Sequence, residues 1–103
     1  LPILNKKKAL NMLGLAMRAG KLITGEELTI NEIRKHKVSL VIVTTDASEN
    51  TQKKLSDKSK YYQAACFVEF TQGEILGAIG KPRKVIGVLD QGFANKIMTL
   101  ITG

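Results

Sequence analysis

Two short runs of almost continuously apolar, β-branched residues are the feature that most constrains the fold of this chain. Residues 39–45 read Ser-Leu-Val-Ile-Val-Thr-Thr, and residues 85–89 read Val-Ile-Gly-Val-Leu. A strand with one solvent-exposed face would alternate apolar and polar side chains, so these runs predict strands that are buried on both faces. Such a sheet requires helices on both sides, because crossover helices must cover both apolar surfaces.

Helical patterns surround these two strands. Apolar residues at helical spacing predict a first helix over residues 4–18, with Leu4 on its apolar face and Gly20 as the stop signal. A short strand follows over residues 22–24, and an apolar stripe predicts a second helix over residues 25–36.

The second half of the chain continues the alternation. The remaining predicted elements are a polar helix over 49–61, a strand over 65–70, a short helix ending at Gly80 and a final helix after Asp90. Asp46 or Ser48 is expected to cap the polar helix, and Leu55 and the Tyr61–Tyr62 end are expected to face inward. A Thr-x-x-Glu capping box is predicted from Thr71 to Glu74.

The order of elements predicts an α/β fold, a three-layer α/β/α sandwich around a mixed sheet of roughly four strands. The 103 residues are 44% hydrophobic, which suits a single domain spanning residues 1–103. No apolar run approaches the roughly 20 residues that span a bilayer, and residues 1–8 lack the pattern of a signal peptide. We therefore expect a soluble, cytoplasmic protein with no membrane partner.

Charge favours a polyanionic partner. Lys and Arg number 16 against 9 Asp and Glu, which gives a net charge of +7. Aromatic residues make up only 5% of the chain, and no strand carries the aromatic pattern of single-strand RNA-binding sheets. Structured RNA is therefore the better match.

The sequence offers few residues or motifs for catalytic chemistry. One His and one Cys cannot form a His/Cys metal cluster; His36 is expected at a solvated helix end and Cys66 in a buried strand. No nucleophile elbow, phosphate-binding loop or dinucleotide fingerprint is present. Asp46 and Asp90 follow the two apolar strands, where α/β enzymes often place carboxylates, but both also suit helix caps. We expect no catalytic residues, no metal and no cofactor.

Residues 18–31 join a basic turn to the predicted start of the second helix. The first N–H groups of a helix lack partners and lie at the positive end of its dipole, so they can bind phosphate or base acceptors. Gly25 leaves the approach open, while Thr24 and Glu27 also fit a capping box. If the first and last strands are close, the basic segment 80–84 would lie beside this helix start.

Three motifs carry a resemblance to a known family. They are residues 14–22, Gly-Leu-Ala-Met-Arg-Ala-Gly-Lys-Leu; residues 46–51, Asp-Ala-Ser-Glu-Asn-Thr; and residues 76–81, Leu-Gly-Ala-Ile-Gly-Lys. Together with Gly25-Glu26-Glu27, they resemble the kink-turn RNA-binding ribosomal-protein family of L7Ae and L30e type, and within it a bacterial type of member. The resemblance covers nearly the whole chain and implies an α/β/α sandwich without enzymatic activity.

The resemblance also implies where RNA binds. In this family the start of the second helix reads the tandem sheared G·A pairs of the sharply bent kink-turn, and the loop before the last strand packs on flipped or stacked nucleotides. Glu27 stands where the family has Asn, Leu28 where it has Glu, and Asn31 where it has Lys. Glu27 can accept from guanine N1 or N2, and Asn31 can donate to O6 or N7.

The expected RNA-binding residues therefore fall into two groups. The first comprises Lys21, Gly25, Glu26, Glu27, Asn31 and Arg34, and the second comprises Lys81, Pro82, Arg83 and Lys84. The second group suits backbone phosphates better than stacking. The expected partner is structured RNA, in particular a kink-turn of ribosomal RNA, with the ribosome as its setting and no role for DNA.

Two other functions remain open at this point. The sandwich could be a protein-interaction module that binds a ribosomal or transcription-factor surface, with the charge serving solubility. A hydrolase or mutase using Asp46 or Asp90 has the least support from the sequence.

Overall fold

The computed structural model describes residues 3–103, and side chains from residue 5 onward. The elements are α1 (Ile3–Arg18), β1 (Leu22–Thr24), α2 (Glu26–Arg34), β2 (Leu40–Val43), α3 (Glu49–Tyr61), β3 (Ala65–Val68), α4 (Gln72–Ile79), β4 (Val85–Val88) and α5 (Gln91–Thr102). The predicted order is confirmed, with β2 shorter than predicted at both ends, β3 and β4 shorter at their C-terminal ends, and α2 shorter than the predicted 25–36. The expected inward position of Leu4 lies outside the described side chains.

The four strands form one mixed sheet in the order β1-β4-β2-β3. β4 is antiparallel to both of its neighbours, and β2 is parallel to β3. The two apolar runs thus lie at the centre of the sheet, and every residue of β2 and β4 is buried. The prediction that these runs are covered on both faces is confirmed.

Two apolar clusters lie on opposite faces of this sheet. One contains the inward faces of α1, α4 and α5, around Leu13, Ile75 and Ile97. The other contains those of α2 and α3, around Ile33 and Leu55. The fold is therefore the predicted three-layer α/β/α sandwich. In the part of the chain that the structure describes, no helix is both long enough and apolar enough to cross a membrane.

The helix caps agree with the sequence at three helices. Ser48 caps α3 by accepting from the Thr51 N–H, and Asp90 caps α5. The Thr71–Glu74 capping box is present at α4. Asp46, the other candidate for α3, instead accepts from the first N–H of α4, that of Gln72, at 3.2 Å.

Three details of the sequence prediction are wrong or only approximate. The Thr24–Glu27 capping box does not form, because Thr24 still belongs to β1 and Gly25 takes the N-cap position of α2. Tyr61 is 77% exposed instead of facing inward. Cys66 is only partly buried, because β3 is an edge strand.

Candidate nucleic-acid interface

The start of α2 is shaped by the strand pairing that precedes it. Thr24 pairs with Ile86 of β4, and the next residue, Gly25, turns the chain with φ 96° and ψ 150°. That combination is almost restricted to glycine, because a Cβ would collide with the backbone. The Gly25 N–H donates to the Val85 carbonyl at 2.9 Å, so β4 holds the turn in place.

The N-terminus of α2 is open. No side chain caps it, whereas α3, α4 and α5 each begin with a side-chain hydrogen bond. Apart from the two neighbouring residues in the chain, no atom lies within 4 Å of the place that a Cβ on Gly25 would occupy. The first N–H groups of α2 are therefore available to an incoming acceptor.

A basic loop lies directly beside this open helix start. Lys84 precedes Val85, whose carbonyl accepts from Gly25, so residues 81–84 and the start of α2 are neighbours. Lys81, Pro82 and Lys84 are exposed, and Arg83 is half-buried with its Nη1 donating to the Pro82 carbonyl at 3.0 Å. Within residues 5–103, no acidic side chain forms an ion pair with these cations. The predicted juxtaposition of the two segments is confirmed.

Gly87 allows α2 to lie close to the sheet. A Cβ on Gly87 would lie 2.8 Å from Cγ2 of Ile23 and 3.1 Å from Cγ2 of Thr29. Thr29 belongs to α2 and is fully buried, so the helix packs directly over the backbone of β4. A larger residue at position 87 would push α2, and with it the candidate interface, away from the sheet.

Glu26, the first residue of α2, is engaged by α3. Its carboxylate accepts from Thr51 Oγ1 at 3.1 Å and from Lys54 Nζ at 2.8 Å. The hydrogen bond from Lys54 is the largest influence that lowers the pKa of Glu26 below its usual range. Sequence reasoning missed Thr51 and Lys54, because their contact with Glu26 joins positions about 25 residues apart and leaves no local pattern.

The other predicted residues of α2 line its exposed face. Glu27 is exposed, Leu28 is 58% exposed, and Asn31 and Arg34 follow on successive turns. Arg34 Nη1 donates to Asn31 Oδ1 at 3.4 Å, a long contact between two exposed side chains. These side chains are accessible to a ligand that lies along α2.

Lys21 lies apart from the basic loop. It precedes β1, and the three residues of that strand separate it from Gly25. An extended strand rises about 3.3 Å per residue, so the two Cα atoms are roughly 13 Å apart. The Lys21 carbonyl accepts from the Leu89 N–H, which places it at the opposite end of β4 from residues 81–84. A ligand that touches both must extend along the whole strand.

The acidic residues considered for catalysis serve as structural caps. Asp90 accepts from the Phe93 N–H at 2.8 Å, and Asp46 accepts from the Gln72 N–H. Among the described residues, no group of three or more His, Cys, Asp or Glu is placed to hold a metal ion. His36 is exposed at the end of α2, as the sequence predicts.

Comparison with known proteins identifies the family that this chain matches. Residues 7–98 match the model of the ribosomal protein L7Ae/L30e/S12e/Gadd45 family. The chain is 61% identical over 99 residues to RNA-binding protein YlxQ of Enterococcus faecium, a match that covers 96% of each protein. These findings confirm the resemblance that the sequence motifs carry.

Solved structures agree with the fold. A protein of unknown function from Bacillus halodurans superposes with a TM-score of 0.91 at 44% identity, covering 93% of this chain and 98% of that one. The 15.5kD RNA binding protein of Giardia lamblia superposes with a TM-score of 0.77 at 14% identity, covering 90% of this chain and 81% of that one. At 14% identity, the second likeness concerns the fold alone.

Proposed function

The chain belongs to the ribosomal protein L7Ae/L30e/S12e/Gadd45 family, and on that premise we propose that it is a non-enzymatic binder of structured RNA. Its target in this proposal is a kink-turn in ribosomal or other translation-related RNA, and its setting is the cytoplasm. The observation that carries the proposal is the hydrogen bond between Gly25 and Val85, which places an uncapped helix start beside a basic loop.

Each part of this surface has a chemical role in the proposal. The free N–H groups after Gly25 bind phosphate or base acceptors, and Lys81, Arg83 and Lys84 neutralise backbone phosphates. These contacts position the RNA without reading its sequence. Affinity should therefore fall as salt concentration rises, because each neutralised phosphate releases counterions.

Selectivity comes from the exposed face of α2. The Glu27 carboxylate can accept from guanine N1 or N2 donors, and the Asn31 amide can donate to O6 or N7. Glu26 is engaged by α3, so its direct contact with RNA stays a prediction. Leu28 stands where the family has Glu, and its exposed side chain can offer apolar contact but no hydrogen bond.

The mechanism in this proposal is selection of shape. A protein shifts RNA toward the bent form only by the difference between its affinities for the bent and the open forms. The basic loop and the start of α2 are adjacent, so both can contact the two backbone segments that a sharp bend brings together.

Titration calorimetry tests the proposal. We would compare a kink-turn RNA with the same RNA whose tandem G·A pairs are replaced by Watson–Crick pairs, each at two salt concentrations. A clear preference for the intact kink-turn supports the proposal, and its loss in Glu27→Ala would assign the selectivity to α2. Equal, salt-dependent binding to both RNAs would leave a general RNA binder. Absence of binding to either would refute RNA binding and favour a protein-interaction module.

A further inference from the structure

A second surface on α3 combines exposed aromatic and basic groups. Lys54, Asp57, Lys58, Tyr61 and Tyr62 line a shallow cavity of about 530 Å³. That volume falls within the range of about 300–1,000 Å³ typical of small-ligand sites. We refer to these five residues as the α3 groove.

Tyr61 is the most exposed large hydrophobic residue among those that the structure describes, with 77% of its surface accessible. Its ring contacts Tyr62 edge to face, with centroids 4.8 Å apart and an interplanar angle of 78°. Tyr62 in turn contacts His36 at 5.7 Å and 75°. Tyr61 is therefore held by a packed aromatic neighbour while most of its surface stays open to solvent.

The charges around this ring favour an anion. Lys54 and Lys58 lie on the same side of α3 as Tyr61, at positions i, i+4 and i+7. Lys54 is paired with Glu26, and Asp57 is paired with Lys53 at 3.2 Å. Within residues 5–103, no ion pair involves Lys58, so its charge is the one that a ligand phosphate can take.

The α3 groove is continuous with the candidate interface. Lys54 contacts Glu26, the first residue of α2, and therefore lies at the edge of the open helix start. From position 54 to position 61 the helix rises about 10 Å. About three nucleotides of a stacked, helical strand rise by the same distance, at roughly 3.4 Å each.

We propose that Tyr61 stacks on an unpaired nucleotide of the bound RNA, with Lys58 on the adjacent phosphate, so that the RNA-binding surface extends from the start of α2 along α3. This inference rests on the proposed function, because it takes the RNA at α2 as the source of the strand. Stacking on an exposed aromatic ring tolerates any base, so the groove adds affinity without reading sequence.

The chain provides a direct spectroscopic probe of this contact. It contains no Trp, and its two Tyr are Tyr61 and Tyr62. Tyrosine emission therefore reports on the α3 groove alone. We would titrate the protein with a kink-turn RNA that ends flush and with versions that carry about three unpaired nucleotides at either end, correcting for absorption by RNA.

We expect an extension at one end to quench tyrosine emission and to raise affinity by about fivefold or more. Tyr61→Ala should lose this gain while keeping its affinity for the flush RNA, and Tyr61→Phe should keep the gain. Lys58→Ala should reduce the gain and its salt dependence. Lys96→Ala, an exposed cation in the opposite helix layer, is the matched control and should change neither.

The two proposals fail in different ways. If flush RNA binds but no extension raises affinity, or if Tyr61→Ala retains the full gain, the stacking site is refuted and RNA binding at α2 stands. If neither flush nor extended RNA binds the wild-type protein, the proposed function is refuted and the stacking site falls with it.

Discussion

Replacing Arg83 by Ala should reduce the salt dependence of RNA binding by a calculable amount. Arg83 lies two residues before Val85, whose carbonyl accepts a hydrogen bond from Gly25 at the start of α2. It forms no acidic ion pair among the described residues, so its charge is available to a phosphate. Removing one phosphate contact on duplex RNA should lower the slope of log K against log salt by about 0.9.

The size of the effect follows from that slope. Raising the salt from about 50 to 200 mM weakens the binding of each protein, and a slope change of about 0.9 makes this loss roughly 3.5-fold smaller for Arg83→Ala than for the wild type. This factor does not depend on how many other phosphates the protein contacts, because those contacts contribute equally to the slopes of the wild type and of Arg83→Ala and cancel in the comparison. Arg83→Lys should keep the wild-type slope, since it keeps the charge.

Fluorescence anisotropy with a labelled kink-turn RNA at several salt concentrations measures this slope. Lys96→Ala removes the same charge from α5, in the opposite helix layer, and is the control for net charge. If Arg83→Ala and Lys96→Ala change the slope equally, the loop has no particular role. A wild-type slope in Arg83→Ala would refute the phosphate contact.

Three further predictions concern the helix start and its support. Glu27→Ala should weaken binding to kink-turn RNA by about 1–3 kcal/mol and leave binding to the G·A-replaced RNA unchanged, as measured by calorimetry. Gly87→Ala should lower the free energy of unfolding by about 1–3 kcal/mol in urea denaturation through overpacking against α2, whereas Gly77→Ala, which meets nothing within 4 Å, should raise it by up to about 1 kcal/mol; equal effects would contradict the packing argument. The pKa of Glu26 is lowered in the folded protein by the hydrogen bond from Lys54. The ionised Glu26 carboxylate therefore stabilises the fold fully at pH values above its pKa in the unfolded chain, and this contribution is lost as the pH falls through its lower pKa in the folded protein. Lys54→Met should therefore flatten the decline in stability below about pH 4, by at most about 1 kcal/mol for such an exposed pair.

The fold was predictable because its central strands carry an unambiguous signal. Residues 40–43 and 85–88 are continuously buried, as their composition indicates, and no other arrangement than a covered sheet accommodates them. The caps at Thr71 and Asp90 were predictable for a similar reason, since a polar cap directly precedes an apolar helix.

The cap of α2 was not predictable from the same kind of pattern. Thr24-x-x-Glu27 and Thr71-x-x-Glu74 look alike in sequence, but only the second forms a capping box. Thr24 is held in the sheet by pairing with Ile86, a contact between distant parts of the chain. Tertiary pairing thus overrides the local preference and leaves the helix start uncapped.

The candidate site was predictable in its parts but not in its layout. The resemblance placed Gly25 and residues 81–84 at one interface, and the hydrogen bond from Gly25 to Val85 places the end of that loop beside the start of α2. The separation of Lys21 from that loop depends on the register between β1 and β4, which the sequence does not display. The exposure of Tyr61 was missed because it ends α3, where helical periodicity no longer distinguishes the inner from the outer face.

The most direct test of the proposed interface is a nuclear magnetic resonance titration of the ¹⁵N-labelled protein with kink-turn RNA. We expect the largest chemical-shift changes at the amides of Gly25, Glu26 and Glu27 and in residues 81–84, where an uncapped helix start meets the basic loop. Changes centred instead on α1, α4 and α5 would contradict this interface, because those helices cover the opposite face of the sheet.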